Sequence, residues 1–172
     1  MNDEVLVGRA RAGDPDAIGE LYCRYSEAVH AIAVRMTRSV EDADDVLQDV
    51  FTGLPAALPR FGGGADLETW LRKVAVRWSL MVMRRKKRRR EVELDARPDE
   101  AVRGEEALLD RLAVDYALGR LPEEHRLVFV LKVVEGYSHE EIGEFLGINS
   151  ELSAVRLSRA RKRLRDILER CA

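Results

Sequence analysis

An acidic row is the densest set of groups in this sequence that could perform acid–base chemistry or bind a metal ion. The segment DADDVLQDVF, residues 42–51, places Asp42, Asp45 and Asp49 at helical spacing, with Asp44 and Gln48 beside them. Carboxylates in such a row could act as general acids and bases or hold a cation. However, no histidine lies in or beside the segment, and no glycine-rich phosphate loop accompanies it. Taken alone, the row favours a solvated acidic face of a helix.

A second candidate site combines aromatic and basic side chains in WLRKVAVRWSLMVMRRKKRRR, residues 70–90. Trp70 and Trp78 are two helical turns apart and so face the same way. Basic side chains around such a helix can hold phosphates while aromatic rings stack on unpaired bases. The alternative is a pair of core tryptophans followed by a solvated basic tail. Trp70 is predicted to lie in the core and Trp78 fits either reading, while the dense basic run favours nucleic acid.

A third candidate is a helix-turn-helix in SHEEIGEFLGINSELSAVRLSRARKRLR, residues 138–165. Gly143 is small enough to let the following helix cross closely, and Gly147 suits a left-handed turn. Ile148 is expected to fill the corner between the helices. The second helix would enter a DNA major groove, whereas the alternative is a helical hairpin with an ordinary basic surface. Side chains on its exposed faces are predicted to be Ser153, Arg156, Arg159, Lys162 and Arg163.

These segments belong to a chain of 172 residues with a net charge of −2, enough for one ordinary or two small domains. The small net charge conceals separated blocks: residues 41–49 and 91–106 are acidic, and residues 84–90 and 156–165 are basic. Such separation indicates two kinds of partner surface. The 46% hydrophobic and 35% charged residues are typical of helices with charged outer faces.

Several function classes lack their sequence signatures. There is no Walker loop, zinc-ligand spacing or nucleophile elbow, so we expect no catalytic residue, no metal and no cofactor. Cys23 and Cys171 are too few for a disulfide scaffold and are expected to be reduced thiols of a cytoplasmic protein. No apolar signal core or membrane span is present, so no membrane contact is expected.

The apolar positions recur every three or four residues almost throughout, which predicts an all-α fold. The inner stripe of the second helix is predicted to include Leu21, Tyr22 and Val29. An acidic linker, residues 91–106, separates two helical clusters. The predicted helices cover approximately residues 3–12, 15–37, 40–58 (interrupted or bent near Pro55), 66–90, 108–120, 122–134, 138–147 and 150–170.

In their order along nearly the whole chain, these segments resemble the extracytoplasmic-function (ECF) sigma factors of the sigma-70 family. The resembling segments are DPDAIGELYCRY, DADDVLQDVF, a Phe-Gly loop, WLRKVAVR with its basic run, LPEEHRLVFVLKVVEGYSHEEIGEFLG and RLSRARKRLR. The resemblance implies a sigma region 2 domain at residues 1–90, a flexible linker at 91–107 and a sigma region 4 domain at 108–172. It also implies a non-enzymatic factor that directs RNA polymerase to promoters and assists strand opening.

The resemblance also implies partners and contact residues. The acidic helix would dock on the clamp helices of the polymerase core, the second domain would contact the polymerase flap, and an anti-sigma factor would inhibit both. Clamp contacts would be Asp42, Asp45, Val46, Gln48 and Asp49. Contacts to the promoter minus-ten element would be Phe61, Gly62, Arg72, Arg77, Trp78, Arg84 and Arg85. Contacts to the minus-thirty-five element would be Ser150, Ser153, Ala154, Arg156, Leu157, Arg159 and Arg161.

The sequence departs from the family pattern in both DNA-reading helices. Arg77 and Met81 replace the common Asn and Asp, and Glu151-Leu152-Ser153 replaces the usual Gly-Thr-Val. Leu152 is expected to take over the packing of the missing valine after a small rotation of the helix. These departures predict an atypical promoter preference. They also leave open a helix-turn-helix regulator that binds duplex alone, and a polymerase-binding decoy.

Overall fold

The computed structural model describes residues 2–63, 66–92 and 116–171, and every regular element in them is helical. The chain divides into two compact units, Met1–Glu100 and Ala101–Ala172. The all-α prediction is therefore confirmed. Most of the predicted linker lies outside the described residues, and the predicted domain limits stay a prediction.

The described residues of the first unit form five α-helices. They are α1 (Asp3–Arg11), α2 (Pro15–Thr37), α3 (Val40–Thr52), α4 (Leu54–Ala57) and α5 (Leu67–Val92), with a 3-10 turn (Leu58–Arg60) after α4. The helix predicted for residues 40–58 is interrupted next to Pro55, as expected: α3 ends at Thr52, and α4 and the turn follow. Pro55 and Pro59 lack the backbone N–H that a continuous helix would use, which explains the division into short pieces.

The starts of these helices follow the side-chain caps that the sequence provides. Asp14 accepts from the N–H groups of Asp16 and Ala17, ahead of Pro15. Ser39 caps α3 through the Asp42 N–H, and Asp66 caps α5 through the Thr69 N–H. The hydrogen bond from Arg9, at 2.7 Å, lowers the pKa of the Asp14 carboxyl and links α1 to the start of α2.

The core of the first unit forms where α2 packs against α3 and α5, with α1 against α2. Fully buried side chains from all of these elements meet there; they include Leu6, Leu21, Ile32, Met36, Val46, Val50 and Leu71. The prediction that Tyr22 belongs to the inner stripe is wrong, because its side chain is 43% exposed. Arg24 and Tyr25 of α2 both donate to the Asp3 carboxylate of α1. Burial and that hydrogen bond raise the pKa of Tyr25.

The second unit contains α6 (Glu123–Phe129), a π-helical turn (Val130–Val134), α7 (His139–Leu146) and α8 (Ser150–Cys171). Residues 116–119 are also helical, and Ala117 and Leu118 pack in one cluster with Ala160 and Leu164 of α8. The remaining residues of the helix predicted for 108–120 lie largely outside the described residues. Ser138 and Glu141 form a capping box that starts α7.

Two glycines shape the connection between α7 and α8. Gly147 ends α7 with φ +68°, the left-handed conformation that its position predicted. A Cβ on Gly143 would lie 2.5 Å from the carbonyl oxygen of Ile148. The lack of a side chain at Gly143 therefore leaves room for the backbone of the turn. The prediction that it leaves room for the following helix is wrong.

We expect Gly143→Ala to destabilise the second unit by about 1–3 kcal/mol, since the new methyl group forces the turn to move. Hydrogen exchange of the α7 and α8 amides measures this change. Gly19→Ala is the control, because Gly19 is exposed in α2 with nothing within 4 Å of an added Cβ. That substitution should stabilise α2 by about 0.5–1 kcal/mol. Unchanged protection of α8 in Gly143→Ala would contradict the prediction.

Candidate protein and nucleic-acid interfaces

The acidic face of α3 is divided between solvent and the interior. Asp45 and Gln48 are exposed and Asp49 is half-buried. The carboxylate of Asp42, only 16% exposed, accepts from Lys86 Nζ of α5 at 2.8 Å. Val46 is fully buried in the core, so its predicted role as a clamp contact is wrong. Of the predicted clamp contacts, Asp45, Gln48 and the half-buried Asp49 therefore remain available to a partner.

A groove between α2 and α3 borders this acidic face. Its lining residues are Tyr22, Asp44, Leu47, Gln48, Phe51 and Thr52. The ring of Tyr22 lies edge-on to Phe51, with 4.9 Å between ring centroids. Asp44 is joined to His30 of α2 at 3.0 Å. The groove thus offers apolar and aromatic contacts beside carboxylates, a combination that suits a docked helix with basic and apolar side chains.

The segment before α5 is anchored by a residue that sequence reasoning missed. The Arg11 guanidinium donates to the Leu58 carbonyl oxygen at 3.0 and 3.2 Å, and also to the Phe61 carbonyl oxygen. Arg11 is separated from these groups by 47 and 50 residues. No local pattern marks such a contact, because an arginine in the last turn of a helix ordinarily interacts with that helix.

Two aromatic rings are in contact where this segment meets α5. Phe61 and Trp70 are both half-buried, with 5.4 Å between ring centroids. Trp70, predicted as a core residue, thus keeps part of its surface in solvent. Gly62 is exposed, and Trp78 is half-buried.

The basic side chains of α5 differ in their surroundings. Arg72 is half-buried and paired with Glu68 one turn earlier, at 2.7 Å. Arg77, Arg84 and Arg85 are exposed, so all three present positive charge to solvent. The predicted minus-ten residues therefore share one helix and the segment that precedes it.

The start of α8 differs from the prediction in the second unit. Ser153 is fully buried, and its Oγ lies 2.9 Å from His139 Nδ1 of α7. Leu157 is also buried, and Leu152 stays 38% exposed. The predicted DNA contacts through Ser153 and Leu157 are therefore wrong, as is the predicted rotation that would bury Leu152. The hydrogen bond to His139 lets a serine occupy the interior position.

The other predicted residues of α8 lie on its outer parts. Arg156 is half-buried and bonded to Glu124 of α6 at 2.7 Å. The exposed residues among them are Ala154, Arg159 and Arg161. Ser150, at the first position of the helix, is half-exposed. Asn149 caps α8 by accepting from the Leu152 N–H at 2.7 Å. The exposed arginines leave a positively charged surface suited to duplex DNA.

The described residues contain no group of three or more histidine, cysteine or acidic side chains arranged to hold a metal ion. Among the helices of these residues, none has the length and apolar composition needed to span a bilayer.

Two family models match the chain, one in each unit. Sigma-70 region 2 matches residues 21–89, and Sigma-70 region 4 matches residues 111–164. A curated relative, the ECF RNA polymerase sigma factor SigM of Mycobacterium tuberculosis (strain ATCC 25618 / H37Rv), is 33% identical over 170 residues. The match covers 97% of this chain and 85% of the relative.

Solved structures show the same fold. CnrH in complex with the cytosolic domain of CnrY is 28% identical, with a TM-score of 0.61 and 99% of both chains covered. The sigma factor RpoE of Bartonella quintana, in complex with the anti-sigma factor NepR, is 24% identical with a TM-score of 0.68. That match covers 88% of this chain and 96% of RpoE.

The buried contact between Ser153 and His139 gives a test of how α8 is held. Ser153→Ala should destabilise the second unit by about 1 kcal/mol, because the half-buried His139 loses its partner. Ser158→Ala is the matched control, since Ser158 is exposed on the same helix. Hydrogen exchange of the α8 amides should show faster opening only in the first variant. Equal exchange in the two variants would count against a stabilising role for this hydrogen bond.

Proposed function

Because the chain belongs to the ECF group of the sigma-70 family, it is an alternative sigma factor that directs RNA polymerase to promoters, and we propose how its two units divide this work. The first unit docks on the polymerase clamp helices and captures the unpaired minus-ten strand. The second unit binds the minus-thirty-five element as duplex and contacts the polymerase flap. The polymerase performs the chemistry, and the protein acts in the cytoplasm.

The main support for this proposal is that the first unit presents two oppositely charged surfaces on neighbouring helices. The exposed Asp45 and the half-buried Asp49 lie on α3, and the basic run lies on α5. The pair between Asp42 and Lys86 joins the two helices. An acidic surface suits a basic protein partner, and a basic one suits phosphates. One rigid unit can thus hold polymerase and promoter at the same time.

Capture of unpaired bases requires a surface that offsets the loss of base stacking. Unstacking costs on the order of a few kcal/mol per base, and stacking on an aromatic ring returns about 1–3 kcal/mol. Three aromatic rings are partly exposed, those of Phe61, Trp70 and Trp78. The helix that holds the two tryptophans also holds Arg77, Arg84 and Arg85. We assign the opened strand to this surface.

An anti-sigma factor is the inhibitory partner that we assign to the groove between α2 and α3. Its aromatic and acidic lining adjoins the proposed clamp contacts, so a helix bound there would exclude the polymerase. The two related structures described above are both complexes with a bound partner protein.

Run-off transcription with bacterial core polymerase and a pool of genomic promoter fragments tests the proposed function. Reversing the charge of the clamp face, with Asp45→Lys and Asp49→Lys together, should lower core affinity and transcript yield by at least about tenfold, because two favourable charge contacts become repulsive. Glu4→Lys with Glu27→Lys is the control for net charge, because both residues are exposed on other helices.

The other outcomes separate the remaining interpretations. Discrete new transcripts that depend on the protein support the sigma function. Binding to core without any transcript would instead indicate a decoy, and binding to promoter duplex without core would indicate a helix-turn-helix regulator.

Because Arg11 anchors the segment before α5, we predict that it positions this segment for binding of the minus-ten strand. Arg11→Ala should weaken the grip of the holoenzyme on an opened minus-ten strand by about three- to tenfold, since the lost hydrogen bonds contribute about 0.5–1.5 kcal/mol each. Affinity for core polymerase should stay unchanged. Binding to a promoter fragment with a pre-opened minus-ten region measures the first quantity, and core titration measures the second. Equal loss of both affinities would indicate misfolding, and loss of neither would contradict the role.

A further inference from the structure

An apolar pair at the leading end of α8 is left without a partner. Leu152 is 38% exposed and Val155 is 44% exposed, and both lie within the first two turns of the helix. When a helix enters the major groove of DNA, adjacent exposed apolar side chains at its start can contact base edges directly.

The spacing places this pair at the head of a single outward stripe. Leu152, Val155, Arg159 and Lys162 recur at intervals of three and four residues, and all four are exposed. The buried side of the helix is formed by a different set, which consists of Ser153, Leu157, Ala160 and Leu164. The apolar pair therefore lies in line with the basic side chains.

Two polar side chains of the same two turns are already engaged inside the protein. Ser153 is hydrogen-bonded to His139 in the interior, and Arg156 is paired with Glu124 at 2.7 Å. The Arg156 side chain is only 20% exposed. Neither is therefore directed to base edges in this conformation, and the outward surface of these turns is apolar, apart from Glu151 and the half-exposed Ser150.

The chemistry of the major groove identifies what such a surface reads. Thymine is the base that presents a C5-methyl group there, and apolar side chains contact this methyl. Arg159 and Lys162 continue the stripe and supply the charge that phosphates require, which favours DNA over an apolar protein partner. We infer that Leu152 and Val155 are specificity-determining residues that read thymine methyl groups in the minus-thirty-five element. This inference rests on the proposed function.

Replacing thymine by uracil tests the inference, because uracil lacks only the C5-methyl and pairs identically. The holoenzyme selects promoters from a library with a randomised minus-thirty-five element, amplified in parallel with thymidine or deoxyuridine triphosphate. In the thymine library we expect thymine to be enriched at one or two positions. In the uracil library that enrichment should fall by about fourfold per contacted methyl, which corresponds to roughly 0.8 kcal/mol.

Variants assign the effect to the two side chains. Leu152→Ala with Val155→Ala should remove the difference between the libraries while transcription from the selected promoters persists at a reduced level. Val133→Ala with Val134→Ala is the control, because these valines are exposed in the same unit but outside α8. The control variant should retain the full difference.

Two results would overturn the inference while leaving the proposed function intact. One is equal enrichment of thymine and uracil by the unmodified protein, and the other is an undiminished difference in the alanine variant. If neither library yields any selected element and no transcript forms, the proposed function fails together with the inference.

Discussion

The packing of the apolar stripe of α2 against α3 and α5 is the interaction on which the first unit depends. Leu21, Ile32 and Met36 are fully buried there, and each buried side chain of this kind contributes about 1.5–3 kcal/mol. Because α3 must turn Val46 and Val50 toward the core, Asp44 and Asp45 face solvent, whereas Asp42 is turned to Lys86 of α5. The same core orients α5. The charged sides of α3 and α5 therefore face outward because the apolar sides of these helices are buried.

The two units hold their charged surfaces by different means. In the first unit, Lys86 reaches from the basic run to Asp42, so the acidic and basic helices are linked by a partly buried pair. In the second unit, α8 is fixed through polar contacts at Ser153 and Arg156, each with a different helix. Side chains that could have met a partner therefore serve to orient the helices. Fewer residues remain for recognition than the composition of these helices indicates.

Helix positions were predictable because they depend on local signals. The expected signals lie at the helix ends, and each acts within four residues of its own position; they are Asp14-Pro15, Ser39, Asp66, Ser138 and Gly147. The faces of the helices were less predictable. Ser153 is buried because of a histidine 14 residues away, and Arg11 binds carbonyl groups 47 and 50 residues away. The polarity of serine predicts an outward side chain, and periodicity cannot identify a distant polar partner.

The placement of the tryptophans has a spectroscopic consequence. Both tryptophans of the chain, Trp70 and Trp78, lie on α5, and both are partly exposed. Intrinsic tryptophan emission of the isolated protein therefore comes only from the first unit, and stacking of a base on either indole would quench it. The two tryptophans would thus report optically on the proposed single-strand binding, whereas events confined to the second unit leave their emission unchanged.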